Sequence, residues 1–208
     1  PEAAAGSAAG SAPDRAAAAL LDRAGPTLAV LSDQAGAVAR ACRDMALRFQ
    51  RGGTLLVFGT GPSAADALHV AVEFVHPVIV GKRALPALSL CTDAATVTGV
   101  AERAGLDHVF AHQLRALGSA GDMALGMATG APGPAVLEGL AVAREMGMLT
   151  TLLSGPLSGP GPGPVAVDHA LAVPSEDPHI VKEVQVSVYH VLWELVHVFF
   201  ERPGSLAS

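Results

Sequence analysis

The chain is poor in basic residues: Lys and Arg number 13 in 208 against 19 Asp and Glu, for a net charge of -6. Neutralising a nucleic-acid backbone needs clustered cations. No basic stripe and no basic patch interleaved with aromatics occurs, so nucleic acid is not an expected partner. Cysteine is scarce as well. Cys42 and Cys91 stand alone and fit no CxxC spacing, which argues against a zinc ribbon or a disulfide framework; the expectation is a pair of buried, reduced thiols in a cytosolic protein. No apolar stretch reaches the roughly 20 residues of a membrane span. The opening "PEAAAGSAAGSAPDR" lacks the charged and apolar regions of a secretion signal. The chain is therefore expected to be cytoplasmic, with no membrane partner.

Half of the residues are apolar, enough to fill the core of one domain of this length. Residues 1–13 are small and of low complexity, and read as a flexible tail. From Asp14 to Gln50 the pattern is helical, with a break near Pro26 and a stop at Gly52-Gly53. The texture then alternates. "TLLVFGTG" (54–61) reads as a buried strand and turn, with a helix from Ser63. "ALPALSLCT" is a second strand and 94–117 a helix. "DMALGMATG" is a third strand, with a helix over 135–146. "GMLTTLLSG" is a fourth strand, followed by the proline-broken loop "LSGPGPGP". "DHALAVP" is a fifth strand, and 177–200 a long helix.

Five apolar strands alternating with helices predict an α/β fold: a five-stranded parallel sheet flanked by helices on both faces, with extra N-terminal helices. A single domain over 14–201 and a short tail at 202–208 follow. In such sheets ligands sit beyond the carboxyl ends of the strands, where "GTGPS" and "ATGAPGP" lie. The last helix, "EVQVSVYHVLWELVHVFF", is apolar nearly all round, which predicts burial on every side and hence a homo-oligomer.

Three features carry chemistry. "ADALHVAVEF" sets His69 and Glu73 four residues apart, on one face of a helix; they are either a catalytic or metal-binding couple, or two polar residues with partners in a core. "GTGPSAAD" joins a strand to a helix, where glycines and helix N–H groups suit an anion, but it lacks the Gly-Lys-Ser/Thr of a phosphate-binding loop and the third glycine of a dinucleotide fingerprint. Glu183, His190 and His197 recur every seven residues, on one stripe of the last helix, where a histidine is either structural or a ligand and acid–base group.

Taken together, the glycine-rich loop with Ser63, Asp66, His69 and Glu73, then "RALPALSLCTD", "GLDHVFAHQLRALGSAGDMALGMATG", "LEGLAVAREMGMLTTLLSG" and "VKEVQVSVYHVLWELV" resemble the sugar isomerase (SIS) domain. Within it the chain looks like the phosphoheptose isomerases, which interconvert sedoheptulose 7-phosphate and a manno-heptose 7-phosphate. The resemblance runs from about residue 15 to 200. It implies a flavodoxin-like three-layer sandwich and a tetramer with active sites at subunit interfaces. It also implies a divalent metal, usually zinc, held by His, Glu, Gln and His, with His69, Glu73 and His190 on three of those positions. Glu73 would then be the proton-transfer base and His190 its partner, acting through an enediol. Gly61, Ser63, Thr129 and Gly130 would contact the phosphate.

The chain departs from that pattern at several points. The family's Gln ligand falls on Lys182, whose ammonium cannot coordinate a cation and is expected to pair with Glu73 instead. That leaves a zinc site incomplete, with His179 as a substitute ligand beside Glu183. Pro62 deletes a backbone donor in the first loop, and Pro77 replaces a common arginine. Where the family has Ser-Thr-Ser-Gly-Asn-Ser, this chain has Ala128-Thr129-Gly130-Ala131-Pro132-Gly133. The expected function is a sugar-phosphate-binding or regulatory homologue of weak or altered activity, acting with or without a protein partner. The alternative is an active aldose–ketose isomerase using Glu73 and His190.

Overall fold

The computed structural model describes residues 11–157, 165–202 and 204. Five strands form one parallel sheet: β1 (Leu55–Gly59), β2 (Ala87–Ser89), β3 (Met123–Met127), β4 (Leu149–Ser154) and β5 (His169–Ala172). The order is β2-β1-β3-β4-β5 and every pairing is parallel. The strand order reverses between β1 and β3, so the crevice beyond their carboxyl ends is the topological switch point.

Alternation along the strands divides the core in two. Leu55 and Val57 of β1, with Met123, Leu125 and Met127 of β3, point to one face. There they meet α3 (Ala35–Gln50), α4 (Pro62–Val75) and α8 (Pro178–Glu201). Leu56, Phe58 and Ala124 point to the other, against α5 (Ala94–Ala104), α6 (Val109–Leu117) and α7 (Pro134–Glu145). Each fully buried Leu, Val or Phe contributes about 1.5–3 kcal/mol. The three-layer α/β sandwich expected from the alternating pattern is the fold found.

The element ends differ where local chemistry intervenes. The helix expected over 94–117 is two helices: Gly105 at φ +102° ends α5, and a short 3-10 turn at Leu106–His108 leads into α6. α1 (Ala12–Asp22) begins inside the segment read as a tail, because Ser11 and Asp14 form a reciprocal capping box. Pro26 starts a separate helix, α2 (Gly25–Leu31), so among the described residues three α-helices precede β1. The second strand shrinks to three residues. The loop "LSGPGPGP" lies almost wholly outside the described residues, as does most of the segment read as a C-terminal tail.

α8 is not buried on every side within the chain. Val181, Val184, Gln185, Val188, Tyr189, Leu192, Trp193, Val196 and His197 form its inner stripe, while Val191 is 43 % exposed and His190 faces outward. Among the described residues no helix is long and apolar enough to cross a membrane.

Candidate active site and metal group

α4 and α8 lie side by side and between them carry the polar residues singled out above. His69 and Glu73 are one helical turn apart on α4, with His69 Nε2 3.2 Å from Glu73 Oε1. The His190 ring on α8 stands edge-on to the His69 ring at 5.3 Å between centroids. Ligand atoms of His69, Glu73 and His190 all fall within 4.8 Å of one another. Two imidazoles and a carboxylate are a common catalytic zinc donor set, and a tetrahedral ion with bonds of about 2.0–2.1 Å holds its donors roughly 3.3 Å apart, close to the His69–Glu73 separation. The three residues therefore fit a divalent metal and would leave one position open for a ligand.

Lys182 does not pair with Glu73. Its ammonium donates to both carboxylate oxygens of Asp66 at 2.6 Å and to the Pro62 carbonyl at 3.3 Å. The reason is height along the helix: Lys182 precedes His190 by eight residues, about 12 Å of rise, and so meets the first turns of α4 rather than its end. Nor does His179 enter the group. It sits in the first turn of α8, 76 % exposed, with Nδ1 3.4 Å from the N-cap Asp177. The stripe of Glu183, His190 and His197 is separated by its partners. Glu183 pairs with Arg23 at the end of α1. His197 is buried, with its ring nitrogens 2.8 and 2.9 Å from the Trp193 and Arg83 carbonyls, and is structural.

The two loops meet at the switch point. A Cβ on Gly59 would lie 2.8 Å from Ser63 Cβ and 2.9 Å from the Met127 carbonyl, so the ends of β1 and β3 approach closely only with glycine there. Gly61, at φ +57° and ψ −129°, opens α4 in a conformation suited to glycine. Ser63 is 1 % exposed, and among the described residues its hydroxyl has no partner. Behind Thr129 and Gly130, Gln185 of α8 donates to the Ala128 carbonyl at 2.7 Å, and the Gly130 carbonyl accepts from Gly155 N–H. Pro132 and Pro134 carry no N–H, so the loop offers few donors. From Ser63 to His69 is nearly two turns of α4, about 9 Å. The loops and the metal group are thus neighbours along one helix.

Two pairings, Lys182 with Asp66 and His69 with Tyr189, escaped the sequence reading. Asp66 precedes His69 by three residues and so shares its face of α4, a spacing that was visible. Tyr189, the chain's single tyrosine, lies 2.8 Å from His69 Nδ1 through its hydroxyl. Burial, helped by the carboxylates of Asp66 and Glu73, pushes its phenol well above the ordinary value, so it stays protonated. Only its place just before His190 marked it out. Cys42 is buried and Cys91 half-buried, and neither is in a disulfide.

Residues 21–155 match the SIS domain. The phosphoheptose isomerase of Solidesulfovibrio magneticus is 40 % identical over 171 residues, 82 % of each chain. This chain belongs to the phosphoheptose isomerase family of SIS domains. A second such isomerase, from a Roseiflexus species, is 40 % identical over 151 residues, covering 71 % of this chain and 74 % of that one. The solved phosphoheptose isomerase of Neisseria gonorrhoeae superposes with a TM-score of 0.79 at 28 % identity, covering 88 % of this chain and 97 % of that one. The SIS-type sheet and its flanking helices are thus those of this isomerase family.

Proposed function

We propose that this chain binds a sugar phosphate of the sedoheptulose 7-phosphate type and interconverts its ketose and aldose forms, holding the phosphate more weakly than a serine-rich loop would. The observation that carries this reading is the grouping of His69, Glu73 and His190 within 4.8 Å, with Lys182 engaged by Asp66 rather than by Glu73. A cation on that position would otherwise neutralise the base. Here Glu73 is left facing two imidazoles.

In this reading His69, Glu73 and His190 would hold a divalent ion, and their two imidazoles and carboxylate suit zinc. When bound, such an ion polarises a carbonyl oxygen and so acidifies the neighbouring C–H. Glu73 takes the proton from the carbon beside the carbonyl and returns it to the adjacent carbon. His190 moves a proton between the two oxygens as the enediol forms and collapses. Ser63, whose buried hydroxyl has no partner among the described residues, and the backbone of Gly61, Thr129 and Gly130 receive the phosphate. A homotetramer with shared sites belongs to the same proposal, as does a cytoplasmic location. The apolar groove between α2, α3 and α8, lined by Leu28, Leu31, Val188, Val191 and Leu195, and the exposed Leu68, Val72 and Val75 on α4 support an oligomer.

A second reading is supported by the donor-poor 128–133 loop: a binding or regulatory homologue without turnover, with or without a protein partner. Three missing hydroxyls at about 1.5–3 kcal/mol each for a charged acceptor amount to several kcal/mol of affinity. An NMR time course of the purified protein with zinc and sedoheptulose 7-phosphate decides between the two. Appearance of aldose signals supports the isomerase; binding without conversion in folded, zinc-loaded protein supports the homologue.

A further inference from the structure

The only tyrosine in the chain packs against both histidines of the metal group. Tyr189 is 1 % exposed, and its ring lies edge-on to His69 at 5.3 Å and to His190 at 5.0 Å. The hydroxyl is 2.8 Å from His69 Nδ1, while His69 Nε2 is 3.2 Å from Glu73. The His69 ring is therefore held at both nitrogens, by groups on two different helices.

We propose that Tyr189 is a positioning residue for His69, orienting the imidazole and serving both of its neutral tautomers so that Nε2 can change between a hydrogen-bond donor to Glu73 and a metal ligand. The inference rests on reading His69, Glu73 and His190 as the metal group. A neutral imidazole carries one proton. Without a cation, Nε2–H donates to the Glu73 carboxylate and Nδ1 accepts from the phenol. To offer its Nε2 lone pair to a cation, the ring must carry its proton on Nδ1, and that N–H needs an acceptor. A phenol oxygen can be either donor or acceptor. A carboxylate or a backbone carbonyl at the same place could only accept, and would bind one tautomer alone. The second partner of a metal-bound histidine fixes its orientation and basicity, and losing such a partner typically weakens metal binding 10- to 100-fold. Core packing does not explain the contact, since a phenylalanine would fill the same space.

Tyr189→Phe tests this without reference to turnover. Zinc affinity is measured by competition with a chromogenic chelator, and the His69 tautomer by 15N NMR of the imidazole with and without zinc. The expected result is a zinc affinity about 10- to 100-fold lower in the variant, with an unchanged melting temperature. The parent His69 should show protonated Nε2 without metal and protonated Nδ1 with it, and the variant should show a mixture without metal. Equal zinc affinity in parent and variant overturns the positioning role and leaves the metal group standing. If the parent binds no zinc, the metal reading falls. The metal-free tautomer then decides alone: a single tautomer lost in the variant supports the positioning role, and one retained overturns it.

Discussion

Lys182 and Asp66 form a bidentate pair, with the ammonium 2.6 Å from both carboxylate oxygens and the Asp66 side chain only 7 % exposed. Lys182, expected from the resemblance to fall on the family's glutamine position, is thus committed to the first turns of α4 and away from Glu73. It neutralises a buried carboxylate that would otherwise lie uncompensated beside Tyr189.

Lys182→Met removes that compensation. Breaking a buried pair from one side costs about 3–5 kcal/mol, and because Lys182 is 38 % exposed we expect about 2 kcal/mol. Urea unfolding measures it. Adding Asp66→Leu should recover most of the loss, since the stranded charge is then gone. An unchanged midpoint in the single variant would contradict the pairing.

Glu73→Gln keeps the size of the side chain and removes the base. Turnover of sedoheptulose 7-phosphate should fall by about 10²–10⁴, with the circular dichroism spectrum unchanged. Activity within a few-fold of the parent would assign proton transfer elsewhere.

Zinc should stabilise the fold through its three ligands. At a hundred times its dissociation constant a ligand adds about 2.7 kcal/mol. Thermal melting should therefore rise with zinc and fall again with a chelator, and His69→Ala should abolish the shift. A shift that survives in that variant would place the ion at another site.

Gly130→Ser returns one of the missing hydroxyls to the loop after β3, at a position where an added Cβ meets nothing within 4 Å. A hydrogen bond to a charged phosphate is worth about 1.5–3 kcal/mol, so KM for the sugar phosphate should drop at least about tenfold. Binding of the unphosphorylated sugar should stay as it was. If both ligands respond alike, the loop is not a phosphate contact.

Cys42 is fully buried, and burial pushes its thiol up to about 12. The folded thiol thus stays protonated where an unfolded one, near 9.0, begins to ionise. Its contribution to stability is complete below pH 9.0 and is lost as the pH climbs towards 12. An aromatic disulfide reagent at pH 8 should leave Cys42 unlabelled until denaturant is added. Rapid labelling in native protein, mapped to Cys42 by mass spectrometry, would show that the α3–α8 packing opens readily.

Much of this protein was legible in one dimension. A parallel strand buried on both faces reads as a nearly continuous run of apolar or small residues whose few hydroxyls find partners, as Thr150 does with Asp168, and a helix that covers it repeats near 3.6 residues. "LLVFG", "MALGM" and "LTTLLS" between amphipathic helices therefore determined the sheet and its layers. The four-residue step from His69 to Glu73 likewise determined that both share a helix face, and resemblance added His190. What spacing along a single element cannot state is which element lies beside it and at what height. Lys182 reaches Asp66 rather than Glu73, and His179 stays at Asp177, because each rise of 1.5 Å per residue along α8 is set against α4 only by packing of the core. The same packing buries His197 and exposes His190, though seven residues put both on one stripe. It also brings the one tyrosine, 120 positions away in the chain, to the back of His69. The residue types and their faces were set by local periodicity, whereas their partners were set by the register of two helices that only the folded sheet holds together.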